Sequence, residues 1–274
     1  MRPAPAHPIR AACIALCLIV LAGCTIAQPR TDDPWEGFNR KMYVFNDAAD
    51  KAVIRPLAVT YRKVTTPNMR RVVDNFFANI KLPISIINDV LQGRPAAAAH
   101  NTARFVVNST AGFVGLFDPA SKMNLPGEVT DFGVTLARWG VPEGPYLVLP
   151  LVGPTTARDV WRLPVDNYFD PLGWYQREHD LAFKAEYLPN FIYLITLRSR
   201  GIDAESLMQG VYDPYIFYRD AYRQRRLYEI YNGNPPVELI EQLQLQGNDI
   251  EDIDQLLEEQ RAYERGKHDQ PPKP

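Results

Sequence analysis

Apolar residues recur along this chain at intervals of three and four, the spacing of one face of a helix. Trp35, Phe38, Met42, Phe45 and Ala49 form the first such stripe and predict a helix from residue 35. Asn39 and Asn46 lie seven apart and share another face of it. Arg55-Pro56 is expected to close that unit. Thr66-Pro67 reads as an N-cap followed by an N1 proline, and Val72, Val73, Phe76, Phe77 and Ile80 continue the helix it starts. Pro83 is expected to break it. Ile84, Ile87, Val90 and Leu91 then give a second short apolar face, with Gly93 placed to end it. A helix over 95–108 follows, then a glycine-containing apolar stretch over 111–117 and a turn at Asp118-Pro119.

After residues 132–139 the pattern changes. Pro142, Pro145, Pro150 and Pro154 exclude a regular helix, and Tyr146-Leu147-Val148-Leu149 between them reads as a short extended piece. Asp170-Pro171 marks another turn, and 188–197 is the most apolar later run, with Pro189 near its start. Asp213-Pro214 is a second N-cap and N1 pair. The helix after it carries Tyr215, Tyr218 and Tyr222 on one side and a basic stripe of Arg219, Arg223 and Arg226 on another. Residues 249–259 are acidic with an apolar side, and 266–274 read as a polar tail.

The N-terminus changes the picture more than any helix. Arg2 and Arg10 precede an apolar run over 11–22, too short to span a bilayer and suited to a signal peptide. It ends in Leu21-Ala22-Gly23-Cys24, which resembles a bacterial lipobox, where cleavage precedes a cysteine that receives diacylglycerol. The alternative is an ordinary signal peptide with a chance cysteine. Cleavage would remove Cys13 and Cys17, leaving Cys24 alone, with no disulfide and a mature charge of −4. Acyl chains at about 0.8 kcal/mol per buried CH₂ would anchor such a protein firmly. Thr25 rather than aspartate follows the cysteine, and by resemblance to sorting rules this directs the chain to the outer membrane. The expected organisation is a signal peptide over 1–23, a tether over 24–34, one helical domain over 35–233 and an acidic C-terminal segment over 234–274.

Composition then narrows the chemistry. The 274 residues carry 30 basic and 32 acidic side chains, so a nucleic-acid partner is not expected. Twenty-four prolines argue for short elements. No later run is long and apolar enough for a transmembrane helix, and strands of barrel length are missing. His100, His179 and His268 have no metal-ligand spacing, and no nucleophile elbow, P-loop or dinucleotide motif occurs. No metal, no cofactor and no enzymatic activity are expected.

One pattern remains. Asp33-Pro34-Trp35-Glu36-Gly37-Phe38-Asn39-Arg40 with Met42-Tyr43 and Phe45-Asn46 resembles the start of the MlaA (VacJ) lipoproteins. The likeness continues through Arg55-Pro56, Asn75-Phe76 with Asn79, Asn88 with Leu91-Gln92-Gly93, and Arg104-Phe105 with Asn108. It extends through Asp131-Phe132-Gly133, the run from Gly144 to Pro150, Arg158-Asp159, and Asp213-Pro214-Tyr215 with Arg219. The resemblance implies a mainly α, ring-like single domain of short amphipathic helices in the inner leaflet of the outer membrane, pierced by an amphipathic channel. It implies passage of mislocalised phospholipid from the outer leaflet to a periplasmic carrier, MlaC, and on to an inner-membrane complex, with trimeric porins as membrane partners.

By that resemblance Cys24 bears the lipid anchor, and Phe45-Asn46 lies in a gating region, with Asn39 and Asn46 as polar channel lining. The competing role for both asparagines is capping or local hydrogen bonding. Arg219, Arg223 and Arg226 are candidates for contact with lipid phosphates or the carrier, against a solvated helix face. The alternative function is a structural lipoprotein that scaffolds porins without passing lipid.

Overall fold

A computed structural model describes residues 33–178, 183–208 and 210–247. The signal peptide, Cys24, most of the tether and the acidic run over 249–259 lie outside the described residues. Helix α1 (Glu36–Ala49) passes through a π-helical turn (Asp50–Ile54) directly into α2 (Arg55–Val64). Arg55-Pro56 therefore does not close the unit. Pro56 falls in the first turn of α2, and the widened turn before it shifts the hydrogen-bond register at a residue that has no N–H to give.

Helix α3 (Pro67–Leu91) is the longest in the described chain, and α4 (Pro95–Thr110) packs along it. Pro83 sits inside α3 and does not end it, contrary to the expectation. Its neighbours Leu82, Ile84 and Ser85 are all buried, so tertiary packing holds the helix across the missing hydrogen bond. The short helices α5 (Pro119–Lys122) and α6 (Phe132–Arg138) follow. Strands β1 (Tyr146–Leu149) and β2 (Gly153–Thr156) form an antiparallel hairpin with Tyr146 opposite Thr156. A 3-10 turn (Asp159–Trp161) leads to α7 (Arg162–Phe169), α8 (Pro171–Glu178) and α9 (Phe183–Gly201). Pro189 lies within α9. A second 3-10 turn (Asp203–Met208), α10 (Pro214–Ile230) and α11 (Val237–Gly247) complete the described chain.

Six described helices carry a proline at their first or second position. The side chains of Thr66, Asp118, Asp131 and Asp213 each accept a backbone N–H in the first turn, and the first, second and fourth of these precede a proline.

The packing runs in a closed circuit. Helix α1 lies on β1, β2 on α10, α10 on α6, α6 on α3, α3 on α9, and α9 on α2, which leads back to α1. Two small apolar clusters sit within this circuit. One joins Tyr146 and Val148 to Tyr215 and Tyr222, and the other joins Val134 and Ala137 to Ile230. No described helix is long and apolar enough to cross a membrane.

Candidate functional site

The polarity of the fold is inverted. All four tryptophans, Trp35, Trp139, Trp161 and Trp174, are exposed, as are Phe38, Phe45, Phe113, Phe117 and Phe191. The interior instead holds Asn39, Asn88, Asp89, Asn101, Asp159 and Arg226. Charged and amide groups are seldom buried in water-soluble domains unless paired, whereas a broad apolar surface marks contact with lipid or another protein.

The buried asparagines replace missing strand partners. Asn39, fully buried, donates to the Tyr146 carbonyl at 2.9 Å and accepts from the Val148 N–H at 2.9 Å. Asn46 makes a similar pair three residues further on, where β1 enters the hairpin turn, donating to the Leu149 carbonyl at 2.9 Å and accepting from the Leu151 N–H at 2.7 Å. Two carboxamides on one face of α1 thus satisfy backbone groups of the hairpin, Asn39 on β1 itself and Asn46 at the turn that follows it. The shared face of Asn39 and Asn46 is as expected. Asn39 also donates to Asp33 at 2.9 Å, six residues away, so it combines a local bond with the long-range pair. Phe45 is about half exposed.

The same device recurs elsewhere. Asn101 donates to the Glu128 carbonyl at 2.9 Å, and Asn108 accepts from the Ala120 N–H at 3.1 Å. These two residues, also seven apart, fix the segment over 118–130 against α4, Asn108 holding helix α5 and Asn101 the irregular chain at Glu128. Their spacing repeats that of Asn39 and Asn46, the signal by which the sequence could have revealed them.

The segment 111–117 is an apolar tip. Phe113 and Val114 both adopt the left-handed conformation, at φ 52° and 57°, which a β-branched residue rarely takes. Gly115 follows because a Cβ there would lie 2.4 Å from that of Asn79. Asn75 holds the tip down by donating to the Leu116 carbonyl at 3.3 Å.

The basic stripe of α10 faces inward. Arg219, Arg223 and Arg226 are 8%, 5% and 4% exposed, so the solvated-face alternative is overturned. All three nitrogens of Arg226 carry carboxylate partners. Its Nη atoms pair with Asp131 at 2.8 and 3.0 Å, its Nε with Asp159 at 3.0 Å, and Nη1 also with Glu229 at 2.6 Å. No edge of that guanidinium is left for a lipid phosphate, and the expectation is corrected for Arg226. Arg219 pairs with Asp220 at 2.8 Å, and Arg223 lies 3.6 Å from Glu143 and over the Tyr146 ring.

Asp159 is the hub of this cluster. It also accepts from Arg158 Nε at 2.8 Å and from the Tyr222 hydroxyl at 2.9 Å. Burial alone would push its carboxyl up; Arg226 and Arg158 more than reverse this and hold it well below the usual carboxylate range. Asp131 is held low by Arg226 in the same way. Gly133 makes room for the cluster, since a Cβ there would lie 2.6 Å from Arg226 Nη2 and 2.8 Å from Asp159.

Asp166 behaves oppositely. Burial and then the Asp131 charge push it up to about 6, although it accepts hydrogen bonds from Asn88 and from the Phe132 N–H. A carboxyl raised in the fold stabilises least when ionised, so its contribution is lost as pH rises through 6. Asp166→Asn keeps an acceptor for both donors. It should raise the unfolding temperature at pH 7 and flatten the dependence between pH 4 and 7. An unchanged pH profile in detergent micelles would show that Asp166 titrates normally.

Among the described residues no group of three or more histidine, cysteine, aspartate or glutamate side chains could hold a metal.

Comparison with known proteins bears directly on this arrangement. The chain is 33% identical over 260 residues to the intermembrane phospholipid transport system lipoprotein MlaA of Escherichia coli, covering 90% of this chain and 98% of that one. It is 28% identical to the protein of the same name in Haemophilus influenzae, over 80% of this chain and 89% of that relative. An uncharacterized Rickettsia conorii protein is 39% identical over 196 residues, 71% of this chain and 76% of that one. A solved structure described as the structural basis for maintenance of bacterial outer membrane lipid asymmetry superposes with a TM-score of 0.63 at 33% identity, covering 74% of this chain and 100% of that chain. The pattern of the MlaA lipoprotein family matches residues 31–229, nearly the whole circuit from the start of α1 to the end of α10, and the chain belongs to that family.

Proposed function

We propose that this protein is an outer-membrane lipoprotein that takes mislocalised phospholipid out of the outer leaflet and delivers it to the periplasmic carrier MlaC, so preserving lipid asymmetry. The distribution of polarity carries the reading: many Trp and Phe side chains are exposed, while amide and charged groups share the buried interior with small apolar clusters. A ring seated in one leaflet needs no spanning helix, and its irregular backbone must be satisfied from within, as Asn39 and Asn46 do for the hairpin. The headgroup would pass along polar groups, with Arg219 and Arg223 near its phosphate, while the tails stay in hydrocarbon. This avoids the several kcal/mol that an unpaired polar group in lipid would cost. Cys24 carries the acyl anchor, and a trimeric porin forms the membrane partner. The names of the E. coli and H. influenzae relatives support the phospholipid assignment.

The test is phospholipid exposed at the cell surface, measured after deletion of the gene and its restoration as wild type or Cys24→Ser. Surface phospholipid should rise on deletion and fall only with the form that can be acylated. An unchanged level on deletion would favour a lipoprotein that holds porins without passing lipid.

A further inference from the structure

A groove of about 310 Å³ lies between α6, the loop that follows it and the turn at Trp161. Phe132 and Leu136 of α6, Val141 and Pro142 of the following loop, and Ala157 and Trp161 form its apolar walls. Trp161 and Val141 at its edge are exposed, and Trp139 stands against Phe132 with ring centroids 6.1 Å apart. Indole rings with one polar edge favour the boundary between hydrocarbon and headgroups.

One polar residue lines this groove, and it is a cation. Arg158 is fixed by its backbone N–H on the Glu143 carbonyl at 3.1 Å, and its Nε donates to Asp159. Asp159 is shared with Arg226 and the Tyr222 hydroxyl, so Arg158 has only part of that carboxylate. The Nη nitrogens of Arg158 have no hydrogen-bond partner among the described residues. A rigid guanidinium with open donors, set in apolar walls, complements an amphiphile with one anionic oxygen group next to hydrocarbon. The volume is at the low end for ligand sites, roughly 300–1,000 Å³, and suits part of a lipid, not a whole one.

Resting on the phospholipid reading above, we propose that this groove docks one membrane phospholipid, its phosphate on Arg158 and the upper part of one acyl chain between Leu136 and Trp161. Through Arg158 and its bond to Asp159 the site adjoins the buried Asp159–Arg226 cluster. It would hold a lipid beside that cluster.

Trp161 supplies the probe. The full-length protein in detergent micelles, carrying Trp35→Phe, Trp139→Phe and Trp174→Phe, would be titrated with phosphatidylglycerol brominated high on its acyl chains, and separately with equally brominated diacylglycerol and brominated stearate. Trp161 quenching should saturate with phosphatidylglycerol and need about tenfold more diacylglycerol, the loss of one charge-assisted contact. Val141→Phe, on an exposed loop, should fill the groove mouth and abolish saturation. Arg158→Gln should bring phosphatidylglycerol and diacylglycerol to equal potency, and Val141→Phe decides the matter if that variant does not fold. Quenching that rises linearly, equally for both lipids and unaltered by Val141→Phe, would mean ordinary boundary lipid and overturn the site. Stronger saturation by stearate than by phosphatidylglycerol would overturn the phosphate assignment. Unchanged surface phospholipid on gene deletion would instead remove the transport reading while leaving saturable quenching of the purified protein intact.

Discussion

Replacing Arg226 by methionine should cost the fold about 3–5 kcal/mol at pH 7, the penalty for breaking a buried ion pair from one side. Methionine keeps much of the volume but leaves Asp131 and Asp159 facing each other across Gly133 without their shared counter-charge. Against a total stability of about 5–15 kcal/mol this is a large fraction, and it corresponds to a fall of about 10 °C or more in unfolding temperature. The sign of the pH dependence separates this cause from lost packing. In the wild type the depressed carboxyls of Asp131 and Asp159 contribute stability above their unfolded pKa of about 4, lost only as pH falls through their still lower folded values. In the variant, burial without Arg226 should raise both, so they cost stability when ionised and recover it when protonated. The gap between wild type and Arg226→Met should therefore narrow from pH 7 to pH 4. Thermal unfolding in micelles at both pH values measures it, and a gap independent of pH would assign the loss to packing alone.

Helix faces were legible in the sequence because periodicity is a local property. The shared face of Asn39 and Asn46, the Asp213-Pro214 start of α10, the extended piece at Tyr146–Leu149 and the turn at Gly93, with its φ of 68°, all follow from spacing or from residue conformational preference. Which face points inward is not local. The stripe containing Trp35, Phe38 and Phe45 is exposed, while Asn39 beside it is buried, because the apolar phase against which such a helix packs need not be protein. Ion-pair partners were equally hidden. Arg226 meets Asp159 and Asp131 across 67 and 95 residues, separations at which no helical period relates two side chains. The stripe of Arg219, Arg223 and Arg226 was visible, but its carboxylates were not, and so it read either as a phosphate or carrier contact or as a solvated face. Pro83 misled for a related reason: a proline's local cost is fixed, and burial of Leu82 and Ile84 outweighs it only in the assembled fold.

Asn39→Ala should be the second severe change, and its comparison with Asn46→Ala tests the view that these carboxamides stand in for a strand. Removing the Asn39 side chain leaves the Tyr146 carbonyl and the Val148 N–H without partners in a fully buried setting, at about 1–3 kcal/mol each, or about 2–5 kcal/mol together. It also releases Asp33, which accepts from the same amide at 2.9 Å and from the Tyr215 hydroxyl. Asn46 makes a similar pair of bonds three residues further on, but its partners at Leu149 and Leu151 are half-buried and exposed, so water or headgroups can replace it at about 1 kcal/mol or less. Asn39→Asp sharpens the contrast. It keeps an acceptor for Val148 but has no donor for the Tyr146 carbonyl and sets a second carboxylate beside Asp33, so it should recover little. Unfolding of the three variants in micelles should rank Asn46→Ala near wild type, with Asn39→Ala and Asn39→Asp both far below it. Equal losses at the two asparagines would mean that the hairpin edge is buried along its whole length. A mild loss at Asn39 would mean that β1 finds another partner once α1 lets go, and the carboxamide would then be a convenience of packing and not the missing strand.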